Sequence, residues 1–183
     1  MKVKKELKYD TMKFTEKTWV QPILYGNGTL GGNNEMAINA STVYEGREAW
    51  GAWNDNGWWW AGDRNTGNTY TIYTQLPIKM SKLTFTGQGG TNNYITSFDL
   101  YGGNSLDNLT LIGSFSGGTL ASKTYDVNST GFCQYHRLLI TGISVRNAMD
   151  CAHITATYLV PEVTTSEDYD YIVPNYHYSC VKK

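Results

Sequence analysis

Hydrophobic and polar positions along this chain alternate with a period of two in short runs, and the runs are separated by clusters of Gly, Asn, Asp and Ser. Successive side chains of an extended strand point to opposite faces, so this alternation marks half-buried β-strands; an amphipathic helix would repeat every three to four residues. The pattern predicts strands over 36–41, 69–76, 81–86, 94–101, 109–115, 134–141 and 152–160. Between them lie Asn54-Asp-Asn-Gly57, Gly87-Gln-Gly-Gly-Thr-Asn-Asn93, Gly102-Gly-Asn-Ser-Leu-Asp-Asn108 and Asn147-Ala-Met-Asp150, all rich in residues that tolerate tight or left-handed backbone. Several short strands at near-even spacing predict an antiparallel sandwich, not alternating βα units.

The flanks read differently. Residues 1–32 carry only scattered apolar anchors (Phe14, Trp19, Val20, Ile23, Leu24) and end in Gly26-Asn-Gly-Thr-Leu-Gly-Gly32, an arm with a hinge. From Pro161 to Lys183 the chain turns acidic and then tyrosine-rich, an extended tail. The expected organisation is therefore arm 1–32, one β-sandwich over 33–160 and tail 161–183, with arm and tail docking on neighbouring subunits of a homo-oligomer.

Composition supports strands and turns: 14% of the residues are aromatic, with 14 Tyr and 6 Trp, and 19 are Gly. A formal net charge of -1, with lysines gathered at the ends in Lys2, Lys4, Lys5, Lys182 and Lys183, argues against a nucleic-acid partner. No stretch approaches the roughly 20 apolar residues of a membrane helix, and Met1 to Asp10 lacks the apolar core of a secretory signal. The expectation is cytoplasmic synthesis with no membrane insertion. Cys133, Cys151 and Cys180 are odd in number and fit no metal spacing, so reduced thiols are expected; a Cys133–Cys151 bridge is the competing reading.

Chemistry concentrates around Trp58-Trp-Trp60. In an extended segment Trp59 must oppose its two neighbours, so at least one indole lies outside the core unless a partner covers it. Indole faces stack on the apolar C–H faces of sugars, and Arg64, Gln88, Asn92, Asn93 and Tyr94 offer hydrogen bonds for the hydroxyls. The expected ligand-binding set is Trp59, Trp60, Arg64, Gln88, Asn92, Asn93 and Tyr94. Gly26-x-Gly28-x-x-Gly31 has the spacing of a dinucleotide loop, but Gly32-Asn-Asn34 follows it where a helix N-terminus is required. His136 and His153 sit in strand patterns with apolar neighbours, His177 lies in the tail, and no zincin motif or Gly-x-Ser-x-Gly elbow occurs. Glu45, Glu48, Asp55 and Asp63 flank the Trp run, but a sandwich of this size leaves little room for a glycosidase cleft. No catalytic residues are expected.

From about Gly31 to Val160 the order of features resembles the discoidin or coagulation-factor C-type domains and the galactose-binding carbohydrate modules. Tyr44-Glu-Gly-Arg-Glu-Ala-Trp-Gly-Ala-Trp-Asn-Asp-Asn56 looks like that family's Ala-Phe-Asp-Gly-Asn segment. Trp58-Trp-Trp60 and Tyr70-Thr-Ile-Tyr-Thr-Gln-Leu-Pro77 follow in order, and Tyr94-Ile-Thr-Ser-Phe-Asp-Leu-Tyr-Gly-Gly-Asn104 is similar to its strand ending in a Gly/Ser-Asn-Asp turn. The resemblance implies an all-β jelly-roll sandwich that gathers the loops bearing Arg64, Gln88, Asn92, Asn93 and Tyr94 at one end, and a non-catalytic glycan-binding role. It also implies a structural calcium, but the matching positions are Asn54 and His153; with two charges lost the site is weak, leaving Asn54 and Asp55 as minor candidates and no cofactor expected. The flanking Trp19-Val-Gln-Pro-Ile-Leu24 and Asn27-Gly-Thr-Leu-Gly-Gly32 look like modules of phage tail, fibre or head-decoration proteins. That resemblance implies a virion protein acting outside the cell on host-surface or mucosal glycans, or one attaching subunits to other virion proteins.

Overall fold

A computed structural model describes residues 14–18, 36–44, 46–53, 60–62, 66–87, 92–144, 149–151 and 153–161. These form β1 (Phe14–Thr18), β2 (Met36–Ala40), a 3-10 turn (Ala49–Trp53), β3 (Trp60–Gly62), β4 (Thr69–Thr86), β5 (Ile95–Gly103), β6 (Thr110–Ser116), β7 (Lys123–Asp126), β8 (Cys133–Ile143), β9 (Met149–Cys151) and β10 (His153–Pro161). Every pairing is antiparallel.

The organising element is β4, at 18 residues the longest strand. Its first half pairs with β2 on one side and β8 on the other, and β8 continues through β5 to β6. Its second half pairs with β10 and β7, and β10 carries β1 at the edge. Two layers result, joined through β4 into one eight-stranded sheet. The crossing lies at Gln75-Leu76-Pro77, where alternation is interrupted and Leu76 is 63% exposed. Thr69 is level with Asp99 through their common partner Leu139, and Phe85 packs on Phe98, so both ends of β4 lie at the same end of the sandwich.

The sequence pattern anticipated the all-β class and the antiparallel sandwich but divided β4 in two, because Pro77 and the exposed pair at 75–76 imitate a loop. A proline is tolerated where a strand leaves one sheet for another and its nitrogen owes no ladder hydrogen bond. Four strands went unforeseen: β1 within the expected arm, the three-residue β3 and β9, and β7, whose four residues Lys-Thr-Tyr-Asp offer one apolar position.

Burial follows the period of two piecewise. On β4, Tyr70, Ile72, Thr74, Ile78 and Met80 point inward, and after Ser81 the phase slips so that Leu83 and Phe85 do. The slip coincides with a register shift against β10 between Thr157 and Tyr158, and Ser81 Oγ donates to the Thr157 carbonyl at 3.0 Å. A bulge of this kind lets one strand serve two differently oriented layers. Phe98 is the centre of the core: its ring lies 5.1 Å from those of Phe85, Phe115 and Tyr125, which come from β4, β6 and β7. Burying each such ring stabilises the fold by roughly 2–3 kcal/mol. The 3-10 turn is fixed by the buried Tyr70 hydroxyl, which donates to the Ala49 carbonyl at 2.7 Å, and Ala49 and Ala52 are fully buried beneath it.

Candidate functional site

At the end of the sandwich where β4 starts and finishes, three chain reversals converge. Gly87 N–H donates to the Leu120 carbonyl at 3.1 Å and Gly118 N–H to that of Thr96 at 3.1 Å, which clasps the β6–β7 loop onto the segment leading into β5. Ser144, just past β8, secures the other side. Its Oγ accepts the Tyr94 N–H at 2.9 Å and donates to the Asn92 carbonyl at 3.0 Å, while its own N–H donates to the Tyr94 carbonyl at 3.0 Å. Asn92 sits in the left-handed region at φ 57°, which Asn tolerates better than most residues. The short ribbon of β3 and β9 belongs to the same end: Trp60 is opposite Cys151, β9 lies against β5, and β10 begins with His153 opposite Thr86.

Glycine is required at position 118 of this clasp, and position 87 is tight. A Cβ at Gly118 would stand 2.0 Å from the Ile95 carbonyl oxygen, and one at Gly87 would stand 3.0 Å from that of Leu120. Beneath the clasp is a shallow crease bordered by Thr86, Tyr94, Thr119, Lys123 and Tyr125, with a volume of about 10 Å³. That is room for about one water molecule, so among the described residues this end is a surface and not an enclosing pocket. The Lys123 ammonium lies 5.8 Å from the centre of the Tyr125 ring, and burial raises the Tyr125 hydroxyl above its ordinary pKa.

Of the residues expected to bind ligand, Asn92 is exposed, Tyr94 is half-buried on the crease, and Asn93 is turned inward with 8% of its surface exposed. Trp60 contributes its backbone to β3. Trp59, Arg64 and Gln88 lie outside the described residues, as do the calcium candidates Asn54 and Asp55; His153, the other matched calcium position, is half-buried on β10. Ser144, Thr86, Lys123 and Gly118 escaped the sequence reading. Only the Gly117-Gly118 pair carried a signal, that of close backbone approach.

The histidine singled out in β8 lies in the core. His136 is fully buried between Ile72 on β4 and Gly102 on β5, and neither ring nitrogen has a hydrogen-bond partner. Burial pushes it down to about 4, so the ring is neutral at physiological pH. Cys133 is buried and forms no disulfide among the described residues, whereas the side chains of Cys151 and Cys180 lie outside the described residues. Among the described residues no group of three or more His, Cys, Asp or Glu could hold a metal ion.

No family model and no curated protein matches the chain. Solved structures do. The family 32 carbohydrate-binding module of Clostridium perfringens NanJ, solved in complex with galactose, superposes with a TM-score of 0.59 at 16% identity, over 78% of this chain and 99% of that one. The CBM32-5 module of a family 89 glycoside hydrolase from the same organism, in complex with GalNAc-β-1,3-galactose, gives 0.57 at 18% identity over 66% and 94% of the two chains. A fucolectin from striped bass serum gives 0.58 at 14% identity over 70% of this chain and 47% of that one. The chain therefore has the galactose-binding-like, discoidin-type jelly-roll fold that these modules and lectins share.

Proposed function

We propose that this chain is a non-catalytic carbohydrate-binding module that takes a sugar at the loop end of its sandwich. One observation carries the reading: the 92–94 turn, the β6–β7 loop and Ser144 are clasped at one end of the sandwich, beside the β3–β9 ribbon, on a fold whose solved counterparts include modules with galactose or GalNAc-β-1,3-galactose bound. Trp60 and Tyr94 would supply faces for stacking, and Asn92 with Arg64 and Gln88 the hydrogen bonds. Single contacts of this kind are weak, and copy number would multiply them. The virion setting rests only on the flanks 19–24 and 27–32, which lie outside the described residues; the compared structures, clostridial modules and a fish lectin, lend it no support.

The test is a glycan array probed with the chain displayed in multivalent form, followed by titration of the best glycan against Tyr94→Ala and Trp60→Ala. Each substitution is expected to weaken binding at least tenfold while leaving the thermal midpoint within a few degrees of the parent. Wild-type affinity in both folded variants, or no glycan bound by the parent, would sink the proposal.

A further inference from the structure

The outward face of the layer formed by β2, the first half of β4, β8, β5 and β6 carries a second cluster of polar groups, remote from the loop end in its chemistry. Asn39, Thr71, Arg137, Tyr101 and Leu111 stand opposite one another in register, one from each successive strand. They point outward because their neighbours Ile38, Tyr70, Ile72, His136, Leu138 and Leu100 fill the core. Between β2 and β8 the face dips into an open hollow of about 150 Å³ lined by Asn39, Ser41, Thr69, Thr71, Leu106 and Arg137.

Arg137 decides what this hollow fits. Its side chain is half-buried, and its Nε donates to Thr71 Oγ1 at 3.1 Å, which sets the plane of the guanidinium. Among the described residues no carboxylate pairs with it; Asp99, two positions from Tyr101 along β5, forms no ion pair. A partly desolvated guanidinium held by one neutral hydrogen bond keeps donors free on its terminal nitrogens, and a planar carboxylate matches them two at a time. The rest of the lining suits hydroxyls. Asn39 is exposed and offers both a donor and an acceptor, and Ser41 Oγ, which accepts the Thr69 N–H at 2.8 Å, retains a hydroxyl proton to give. Leu106, 42% exposed, supplies an apolar rim. The volume is well below the roughly 300–1,000 Å³ that encloses a drug-sized ligand, so it accommodates a single small ring. A peptide strand cannot add to β4 or β8 beneath the hollow, because their backbones are already paired to neighbours on both sides.

We propose that this hollow is a second binding site, for one carboxylate-bearing sugar unit, a uronic acid, with its carboxylate on Arg137 and its ring hydroxyls on Asn39 and Ser41. The site does not depend on the loop-end reading. It is tested by following backbone and arginine side-chain resonances of the full chain during titration with sodium D-galacturonate, galacturonate methyl ester, D-galactose and acetate. Galacturonate is expected to produce saturating shifts at Arg137 and Asn39 that the ester, galactose and acetate do not reproduce at equal concentration. Arg137→Gln is expected to weaken galacturonate binding at least tenfold, and so is Asn39→Asp, which sets a like charge beside the ligand at an exposed position where the fold tolerates it. Trp60→Ala should leave galacturonate binding unchanged, which separates this site from the loop end. Undiminished binding in Asn39→Asp, or shifts of the same size with galactose or the ester, would overturn the proposal; acetate or a peptide C-terminus binding as tightly as galacturonate would overturn the sugar assignment.

Discussion

His136 shows how much one buried side chain governs the response of this protein to acid. In the folded chain it titrates near 4 because burial disfavours the charged ring, whereas an exposed histidine titrates near 6.5. Between those values the unfolded chain binds a proton that the folded chain refuses. Its contribution is therefore fully present above about pH 6.5, falls as the pH drops, and is exhausted near pH 4, a loss of about 3 kcal/mol. Urea unfolding of the parent and of His136→Leu at pH 7 and pH 4.5 checks this: the difference in stability between the two should shift by about 2–3 kcal/mol in favour of the leucine variant at the lower pH. Equal pH dependence in both would show that the ring protonates in place. At pH 7 the leucine variant is expected to be no less stable, since it removes two buried polar atoms that lack partners.

At the scale of elements, the clasp between the β6–β7 loop and the start of β5 is the feature most sensitive to a single methyl group. Gly118→Ala forces a Cβ against the Ile95 carbonyl oxygen, a fixed backbone atom that cannot rotate aside. A destabilisation of about 2 kcal/mol or more is expected, with amide exchange accelerated first at Gly118 and Gly87, the two amides that donate across the clasp; chemical denaturation and hydrogen exchange measure both. How far the elements were legible follows the same logic. Runs with three or more alternating apolar positions, such as 95–103 and 133–143, announced themselves because each must bury one face. The strands that were missed are held by partners and not by their own pattern: β7 by its ladder with β4, β1 by its ladder with β10, and β3 and β9 by each other. The candidate site was legible where turn chemistry marked it, at Asn92 and Tyr94. It was silent at Ser144, an ordinary serine until its three hydrogen bonds are drawn. Arg137 left a trace that went unread, as the one formally charged residue in the eleven of β8.

For the molecule as a whole, the aromatic cluster around Phe98 ties both layers into one cooperative unit. Phe98 is fully buried and contacts rings from β4, β6 and β7. Phe98→Ala is expected to cost about 3–5 kcal/mol, and the loss should appear as one transition whether followed by aromatic or by backbone signals. Two separate transitions would mean that the layers melt independently, contrary to the continuity of β4. The sandwich was readable in advance from the spacing of strands, and the jelly roll from the resemblance to the galactose-binding modules, whereas the sharing of β4 between layers was not, since a corner and a loop look alike in composition.

The edge pairing of β1 with β10 sets how the domain bears tension. These strands run antiparallel with Phe14 opposite Pro161 and Thr18 opposite Thr157, so the chain enters and leaves at one corner. A pull applied to the two ends loads the rungs between them in sequence, opening them as a zipper from Phe14 inward. The outermost strand peels away first, and the sandwich behind it is spared until the force reaches the ladder between β10 and β4.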